Sequence, residues 1–393
     1  MQKIILENKN LKGVNIGSWL LMEGYILGGR NIAESIFKKQ FEKNYGKREL
    51  KNFECLFRDN FITEKDFQAI SRMGAKAIRI PFHHKLIEKY PYVYSEEAFS
   101  YFDKIFSWAR RYGLGIILDL HAAPGAQNHD WHADSQGEAL LWENKEFQKR
   151  TFSLWEAIAE RFKNETSLIG YDILNEPVVT ERDLNVLKKF YQETKRYIRN
   201  IDKKHLIFLE GNMWAQNIDF LKDLIGENIW VSIHAYQPLN YTFNFSRFTG
   251  FPGKIDGSLW DKSSIRKYLE PYFVFSTKNK VNIFVGEFGI NWRGGYFGEL
   301  EWLKSILKTC EDFGFGYTYW TYKAVSGSVF PDGLYQYFQN NKYINRLGPI
   351  FGWETYLKFW GREKKEIVDF WKTANFVPNK NIIAVLENSF RNN

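Results

Sequence analysis

The 393-residue sequence is poor in cysteine, in linker-like segments and in long apolar runs. Its two cysteines, Cys55 and Cys310, do not lie in a C-x-x-C or Cys/His spacing, which excludes a disulfide framework. No run approaches the roughly eighteen apolar residues of a membrane span. The segment MQKIILENKNLKGVNIG lacks the basic, apolar and small-residue regions of a secretory signal. We therefore expect a cytoplasmic protein without a membrane partner, or a secreted one whose leader has been removed.

The charge pattern argues against a nucleic-acid partner. The formal net charge is +8, but the densest basic segments, KNYGKRELK and GREKKE, are interleaved with glutamate. A nucleic-acid surface needs lysine and arginine clustered on one face. The content of 44% hydrophobic and 25% charged residues is typical of a globular protein. We therefore predict a folded chain with a sizeable core and no nucleic-acid partner.

Short apolar or β-branched runs alternate with longer amphipathic segments along the chain. Such alternation is typical of parallel strands joined by helices, and near-continuous apolar strands indicate a sheet that is buried on both faces. The eight predicted strands are LKGVNIG from Leu11, AKAIRIP from Ala75, LGIILDLH from Leu114, LIGYDILNEP from Leu168, HLIFLEGN from His205, IWVSIHAY from Ile229, VNIFVGEFG from Val281 and GYTYWTYK from Gly316. This order fits a (β/α)8 TIM barrel, although the strand count alone leaves another α/β layout open.

The α/β fold is predicted to form a single catalytic domain over residues 1–393. No Pro/Ser/Thr-rich linker separates a second module. Residues 324–393 are predicted to hold the last barrel helix, in GREKKEIVDFWKTA, and a C-terminal helical extension outside the barrel, in NKNIIAVLENSF. The aromatic segment from Tyr236 to Ile265 is long for a connection, which is typical of a functional loop.

Polar and aromatic side chains follow the predicted strands at the points where the strands end. In a barrel, the carboxyl ends of all strands meet at one mouth, which is where active sites lie. The residues at these positions are Arg79, Asp119, His121, Asn175, Glu176, His234, Tyr236, Glu287 and Trp320. Each one alone is compatible with a structural role, but their repetition on six strands predicts a catalytic site.

Two of these residues, Glu176 and Glu287, end the fourth and seventh predicted strands. Two carboxyl groups that face each other across a mouth are the arrangement that cleaves glycosidic bonds. A separation of about 5 to 5.5 Å is typical of retaining enzymes, and one of about 6.5 to 9.5 Å is typical of inverting enzymes. The distance between the two carboxyl groups therefore decides the stereochemistry.

The motifs RIP, LDLH, NEP, HAY, GEFG and YWTY together resemble those of glycoside hydrolase family 5, the cellulase-like retaining β-glycosidases. The resemblance extends from about Leu11 to Lys323. Within the family, GVNIGSWLLMEGY and LDLHAAPGAQN are similar to the exo-β-1,3-glucanase branch, which has a comparable pattern of glycine, tryptophan and glutamate after the first strand.

This resemblance implies that Glu176 is the general acid/base and that Glu287 is the nucleophile. It also implies that the substrate is bound by Arg79, His121, Asn175, His234, Tyr236, Trp320 and Glu23. We expect Arg79 and Tyr236 to stabilise the ionised form of Glu287, and the neighbouring negative charge to raise the pKa of Glu176. For Glu23 the sequence leaves open a second interpretation, a glutamate in a surface loop.

The resulting prediction is a retaining β-glycoside hydrolase that is exo-acting on β-glucans, β-glucooligosaccharides or β-glucosides and uses no cofactor. Its partner is a β-linked oligosaccharide or polysaccharide. An endo-β-glucanase or a β-mannanase on the same scaffold, and a sugar-binding barrel without catalysis, remain alternatives. The segment HDWH, with His129 and His132, suggests a rival metal site. We predict no metal, because no carboxylate spacing completes a ligand set.

Overall fold

A computed structural model describes residues 11–246, 248–337 and 353–391. Eight parallel strands form a closed barrel in the order β1-β8-β7-β6-β5-β4-β3-β2. Their bounds are β1 Lys12–Asn15, β2 Ala77–His83, β3 Gly115–Ala122, β4 Leu168–Asp172, β5 Leu206–Glu210, β6 Ile229–His234, β7 Ile283–Phe288 and β8 Gly316–Tyr319. Each strand lies within or overlaps the segment predicted for it, so the prediction of a TIM barrel is confirmed.

Helices surround the barrel, and most of them follow a strand. Their bounds are α1 Glu34–Tyr45, α2 Lys47–Phe61, α3 Glu64–Arg72, α4 Glu96–Tyr112, α5 Lys145–Phe162, α6 Leu184–Ile201, α7 Lys262–Asn279, α8 Glu299–Phe313, α9 Trp353–Phe370 and α10 Lys380–Arg391. After β5 the connection is a 3-10 segment, Asp219–Leu224. In the described residues, none of the helices combines the length and the apolar character that crossing a membrane requires.

Helix α4 shows how local sequence sets these bounds. The Ser95 hydroxyl accepts a hydrogen bond from the Ala98 N–H and caps the first turn. At the other end Gly113 has a φ of 66°, a left-handed conformation that glycine adopts without the steric cost of a Cβ. The apolar residues between these two caps face inwards and are buried, so α4 packs along the strands.

Short strands and turns elaborate the connections at the mouth. The short strands are Glu88–Tyr90 and Val93–Tyr94, Gly253–Ile255 and Ser258–Trp260, and a small sheet of Lys323–Val325, Tyr335–Tyr337 and Val377–Pro378. One-turn helices span His84–Ile87, Asn212–Ala215 and Leu239–Thr242, and short 3-10 turns span Trp131–Ala133, Glu181–Asp183 and Thr373–Asn375. The predicted long loop after β6 therefore contains the one-turn helix Leu239–Thr242 and the hairpin of Gly253–Ile255 and Ser258–Trp260.

The interior of the barrel changes from apolar to charged towards the mouth. Its lower part is a separate hydrophobic cluster of Leu11, Ala77, Ile117, Ile169, Leu206, Phe208, Trp230 and Phe284. Two residues further along the strands, Arg79, Asp119 and Glu210 are fully buried. Side chains alternate across a strand, so every second residue points inwards. Three inward residues of the apolar cluster, Ala77, Ile117 and Phe208, are therefore followed, two positions later, by these inward charged residues nearer the mouth.

The last two helices are arranged opposite to the sequence prediction. Helix α10, and not α9, packs against the barrel: Tyr317 of β8 shares a hydrogen bond of 2.7 Å with Ser389, and Lys12 of β1 donates to the Ser389 carbonyl at 2.8 Å. The ring of Phe390 also stacks on Tyr317. The segment predicted as an outer extension therefore supplies the final barrel helix, because its polar and aromatic end matches β1 and β8.

Helix α9 instead packs on the N-terminal pair α1 and α2, outside the barrel. The interface is a set of buried rings with centroid separations of 4.6 to 6.4 Å, which we call the outer aromatic cluster: Phe37, Phe41, Phe53, Phe57, Trp360 and Trp371. Tilted and edge-to-face rings at these distances contribute packing energy beyond the buried area. This cluster connects the two ends of the chain.

Candidate active site

Arg79 lies at the centre of the barrel mouth. Its side chain is fully buried, and its guanidinium contacts four carboxylates: Glu287 at 2.7 Å, Asp172 at 2.8 Å, Glu210 at 3.0 Å and Asp119 at 3.1 Å. We call these five residues the charged layer. Burial lowers the pKa of Arg79, but the four carboxylates raise it more, so the pKa lies well above its usual value. The planar fork of five N–H donors suits such multiple pairing.

Glu287 is held by two donors that the sequence predicted for it. The Arg79 guanidinium donates to Oε1 at 2.7 Å, and the Tyr236 hydroxyl donates to Oε2 at 2.9 Å. Burial, followed by the charge of Glu287, raises the pKa of Tyr236 well above its usual value, so the phenol keeps its proton. One cation and one hydroxyl therefore stabilise the carboxylate form of Glu287 in a buried position.

Glu176 follows β4 in a strained backbone conformation. Its φ is 46°, which is in the left-handed region and is uncommon for a residue other than glycine. Its N–H donates to Glu210 Oε2 at 2.6 Å, and its carbonyl accepts from Asn128 at 2.9 Å. These two hydrogen bonds fix the backbone, so the carboxyl group enters the mouth from a defined direction.

The carboxyl group of Glu176 lies beside two imidazoles. Its Oε1 is 2.7 Å from His234 Nδ1, and its Oε2 is 3.4 Å from His132 Nε2. Burial raises the pKa of Glu176, but the hydrogen bond and charge of His234 and the charge of His132 lower it more, so the net pKa is lowered. The sequence prediction of a raised pKa for Glu176 is therefore wrong, because two cationic side chains outweigh the neighbouring carboxylates.

The two glutamates are close together. A carboxylate oxygen of Glu176, a carboxylate oxygen of Glu287 and a ring nitrogen of His234 lie within 4.8 Å of one another. His234 Nδ1 is also 3.5 Å from Glu287 Oε2, so the imidazole lies between the two acids. The nearest oxygens of the two carboxyl groups are thus less than 4.8 Å apart, which is closer to the arrangement of retaining enzymes than to the separation of about 6.5 to 9.5 Å of inverting enzymes.

These same three groups are a possible set of metal ligands, and among the described residues no other such group of three occurs. The HDWH histidines do not converge into one: the Nδ1 of His129 lies 3.2 Å from the Gly137 carbonyl, at an exposed position. In the cluster itself, Glu287 is already paired with the permanent cation of Arg79. The donor set is therefore better suited to proton transfer and nucleophilic attack than to metal binding.

His121, Asn175 and Trp320 form the adjoining wall of the site. The His121 ring is stacked on Trp320 with centroids 5.5 Å apart and an interplanar angle of 9°. Asn175 Oδ1 accepts from Arg79 at 2.9 Å, and its Nδ2 lies 3.4 Å from His121 Nε2. Burial lowers the pKa of His121 to about 3, so this ring is neutral. The structure therefore brings these predicted residues together with the two glutamates.

Glu23 belongs to the same site and is not a surface residue. It is 2% exposed, and its Oε1 has no hydrogen-bond partner among the residues that the structure describes. Burial raises the pKa of Glu23 well above its usual value, and the charges of Glu287 and Glu176 add to the effect, against the opposing charge of His132. A buried polar atom without a partner is costly, so the position is suited to a ligand hydroxyl.

Comparisons with known proteins identify the family. The model of cellulase (glycosyl hydrolase family 5) matches residues 39–326 of the chain. The chain belongs to glycosyl hydrolase family 5. Endoglucanase C of Acetivibrio thermocellus is 28% identical over 69% of this chain and 87% of its own length. A glucan 1,3-beta-glucosidase of Blumeria graminis is 31% identical over 58% of this chain and 56% of its own length.

The fold of this family 5 enzyme has solved counterparts. The endoglucanase Cel5A of Thermotoga maritima aligns with a TM-score of 0.63 at 22% identity, covering 97% of this chain and 99% of that one. At this identity the similarity supports the (β/α)8 barrel alone. Its membership of family 5 makes the chain a glycoside hydrolase.

Three aromatic rings from separate loops of this family 5 chain meet beside the glutamates. Tyr25, Trp131 and Phe330 contact each other pairwise, with centroid distances of 5.8, 5.0 and 6.3 Å. We call them the aromatic triangle. It is joined to the site because the Tyr25 hydroxyl accepts a hydrogen bond from the Trp320 indole N–H. The loops after β1, β3 and β8 are therefore connected across one side of the mouth.

Several residues of this site were not singled out from the sequence. Glu210 ends β5 in LEGN, so it had the same strand-end signal as the others. It accepts from Arg79, from His234 and from the Glu176 backbone. Asp172 lies inside the predicted strand LIGYDILNEP, where only its inward register places it on Arg79. His132 was considered only as a metal ligand, and its approach to Glu176 depends on a loop that the sequence does not position.

Proposed function

We propose that this chain is a retaining, exo-acting β-glycoside hydrolase that removes terminal sugars from β-glucans, β-glucooligosaccharides or β-glucosides. The observation that supports it most is the closed aromatic triangle beside two carboxyl groups whose nearest oxygens lie within 4.8 Å. An endo-acting enzyme needs a cleft that is open at both ends, so that an internal bond of a polymer can reach the glutamates. The triangle instead favours a pocket that receives a chain end.

In the first step, the Glu287 carboxylate attacks the anomeric carbon while the glycosidic oxygen takes a proton from Glu176 and departs. Arg79 and Tyr236 orient the nucleophile through its two oxygens. The covalent glycosyl ester forms as the bond to the leaving oxygen breaks. Asn175, held by Arg79, is placed to bind the sugar 2-hydroxyl, a contact that strengthens in the transition state.

The proton for this step is shared by Glu176 and His234. The pKa of His234 is raised well above its usual value: burial lowers it, but the charges of Glu210 and Glu287 and the hydrogen bonds to Glu176 and Glu210 raise it more. His234 Nδ1 lies 2.7 Å from Glu176 Oε1, so the proton reaches Glu176 without rearrangement as the leaving group approaches. In the second step Glu176 takes a proton from water, which attacks the ester and releases the sugar.

The test is product analysis over time with β-1,3- and β-1,4-linked glucooligosaccharides that are labelled at the reducing end. Exo action predicts that terminal sugar is released from the first time points. Retention predicts that NMR of freshly formed product shows the β anomer. A ladder of internal cuts at early times would favour an endoglucanase instead, the activity that the Acetivibrio relative is named for. An α anomer would rule out retention.

The roles of the two glutamates have a sharper test. With an aryl glucoside that has a good leaving group, Glu176→Ala is expected to regain turnover with added azide and to form a β-glycosyl azide. Glu287→Ala is expected to remain without β-glycosyl product, because it lacks the nucleophile. If the protein only binds sugars, the unsubstituted chain has no turnover to lose.

A further inference from the structure

His132 is a second imidazole on the proposed acid/base. It lies in the 3-10 turn Trp131–Ala133 after β3, and its Nε2 is 3.4 Å from Glu176 Oε2, whereas His234 occupies Oε1. The two oxygens of Glu176 therefore have one imidazole each. His132 is not used in the mechanism above, so its proximity to Glu176 needs a separate explanation.

The His132 ring is held on several sides. It packs edge-on against His121 and Trp131, with centroid distances of 5.7 and 5.4 Å. Its Nε2 is 3.7 Å from Asp130 Oδ2, and that same oxygen accepts a hydrogen bond of 2.7 Å from the Trp214 indole. A ring fixed by two aromatic neighbours and a carboxylate keeps its position relative to Glu176.

The same loop also fixes the backbone of Glu176. The side chain of Asn128 donates to the Glu176 carbonyl at 2.9 Å and accepts from the Asp130 N–H at 2.9 Å. One short segment therefore binds both the main chain and the carboxyl group of Glu176. A carboxyl group is positioned well when neighbouring residues hold both its backbone and its side chain, as Asn128 and His132 do here.

Titratable groups from every neighbouring element face Glu176. They are His234 of β6 and Tyr236 after it, Glu210 of β5, Glu287 of β7, Asp119 and His121 of β3, Glu23 and Tyr25 of the loop after β1, and His132 of the loop after β3, with Asp130 beside His132. Burial lowers the pKa of His132, but the bond to Asp130 and the charges of Glu176, Asp130 and Glu23 raise it to about 9. His132 is therefore cationic at neutral pH.

We propose that His132 is a positioning residue for Glu176: it holds Oε2 so that Oε1 stays on His234, and its charge favours the carboxylate form that must act as the base in the second step. This inference rests on the proposed function, because it takes Glu176 as the acid/base. It assigns a role to the HDWH segment in turnover, where the sequence suggested only a metal site.

The experiment compares His132→Gln with His129→Gln, a matched control in the same loop whose ring faces the Gly137 carbonyl at the surface. Removing the cation is expected to raise the pKa of Glu176, so the alkaline limb of kcat/KM shifts up by about half to one pH unit. With a dinitrophenyl β-glucoside, the second step limits turnover. The kcat of His132→Gln is then expected to fall about tenfold, which is less than the effect of removing a general base altogether. His129→Gln should change neither value.

The inference would be overturned if the alkaline limb of the pH profile of kcat/KM did not move in His132→Gln. It would also be overturned if the limb moved equally in His129→Gln. If His132→Gln does not fold, Asp130→Asn serves instead: it leaves the ring in place and lowers the pKa of His132, so the limb is expected to shift in the same direction by a smaller amount. Failure of the proposed function is distinguishable, because it would abolish the azide rescue of Glu176→Ala and leave the unsubstituted enzyme without β-glucosidic turnover.

Discussion

The charged layer and the outer aromatic cluster are both fully enclosed by protein, and they differ in what they contribute. In the charged layer, one guanidinium contacts four carboxyl groups, and burial raises the pKa of Asp119 to about 8 and the pKa of Asp172 well above its usual value, so the layer depends on shared protons as well as on Arg79. In the outer cluster, rings from α1, α2, α9 and the residue after α9 pack on one another, and charged side chains reach them at the edge, where the Trp360 indole donates to Glu49. Replacing buried ion pairs by apolar groups is often neutral or stabilising. The presence of charges at the mouth therefore indicates chemistry, whereas the rings indicate stability.

The largest effect is expected where the charged layer is broken at its centre. Arg79→Met leaves four buried carboxylates without their shared cation, which should reduce the free energy of unfolding by about 3 to 5 kcal/mol. Loss of the cation that holds Glu287, the proposed nucleophile, should also reduce kcat/KM by about a thousandfold. Steady-state kinetics and urea denaturation measure the two effects.

Arg196→Met is the matched control, since this arginine is exposed and its contacts, an ion pair with Glu193 and a position over the Tyr197 ring, lie within one helix. A surface pair of this kind contributes less than about 1 kcal/mol. An Arg79→Met enzyme that keeps activity within tenfold of the original would mean that the charged layer is not part of the catalytic apparatus.

The outer aromatic cluster should show the opposite pattern. Phe53 is 0% exposed, and its ring contacts those of Phe41, Trp360 and Trp371. Phe53→Ala is expected to cost about 3 to 5 kcal/mol of unfolding free energy through the cavity it leaves. Below the melting temperature kcat should remain within about twofold, because the cluster does not touch the site.

Phe273→Ala is a control of the same chemistry, since this ring is 38% exposed and stacks on Phe313 alone. It should lose markedly less stability than Phe53→Ala. A large fall in kcat for folded Phe53→Ala would contradict the separation between the two regions and would require a mechanical coupling between them.

The smallest effect concerns Lys323, which borders the outer aromatic cluster at Trp371. Its ammonium donates to the carbonyls of Phe61 and Trp371 and to Thr373. Burial lowers the pKa of Lys323 to about 7. Because an unfolded lysine titrates near pH 10.4, the unfolded chain binds more protons between about pH 7 and 10, and the free energy of unfolding should rise with pH in that window.

The comparison is between the original enzyme and Lys323→Met, with exposed Lys308→Met as the control. We expect the original chain to gain about 1 to 2 kcal/mol more stability than Lys323→Met between pH 7 and 9, as measured by urea denaturation. If both stability curves rise in parallel, the amine is charged in the folded chain and the assigned pKa direction for Lys323 does not hold.

Much of this architecture could be predicted because it depends on local pattern. Near-continuous apolar strands that alternate with amphipathic segments predict the barrel, and the rule that strand ends share one mouth predicts that Arg79, Glu176 and Glu287 lie together. Glu23 was harder, since a charged residue in a loop is usually exposed. Only the packing of the loop after β1 shows that it is buried.

The remaining features depend on tertiary packing. Helices α9 and α10 are both amphipathic, so periodicity did not reveal that α10 is the one that reaches Tyr317 and Lys12. The pKa of Glu176 was predicted in the wrong direction because the hydrogen bond and charge of His234 lower it, and the charge of His132 lowers it further. The contact of His132, which comes from a loop 44 residues earlier in the chain, has no signature in the sequence.

The position of α10 between β1 and β8 has a consequence for synthesis on the ribosome. The barrel closes only when its first and last strands meet, and the helix that covers this seam spans Lys380–Arg391. Most of the chain has left the ribosome before the seam is covered. The edge of β1 therefore stays unpaired until β8 has been made, and the outer face of the seam stays exposed until α10 has been made, so both are surfaces for chaperones to protect during synthesis.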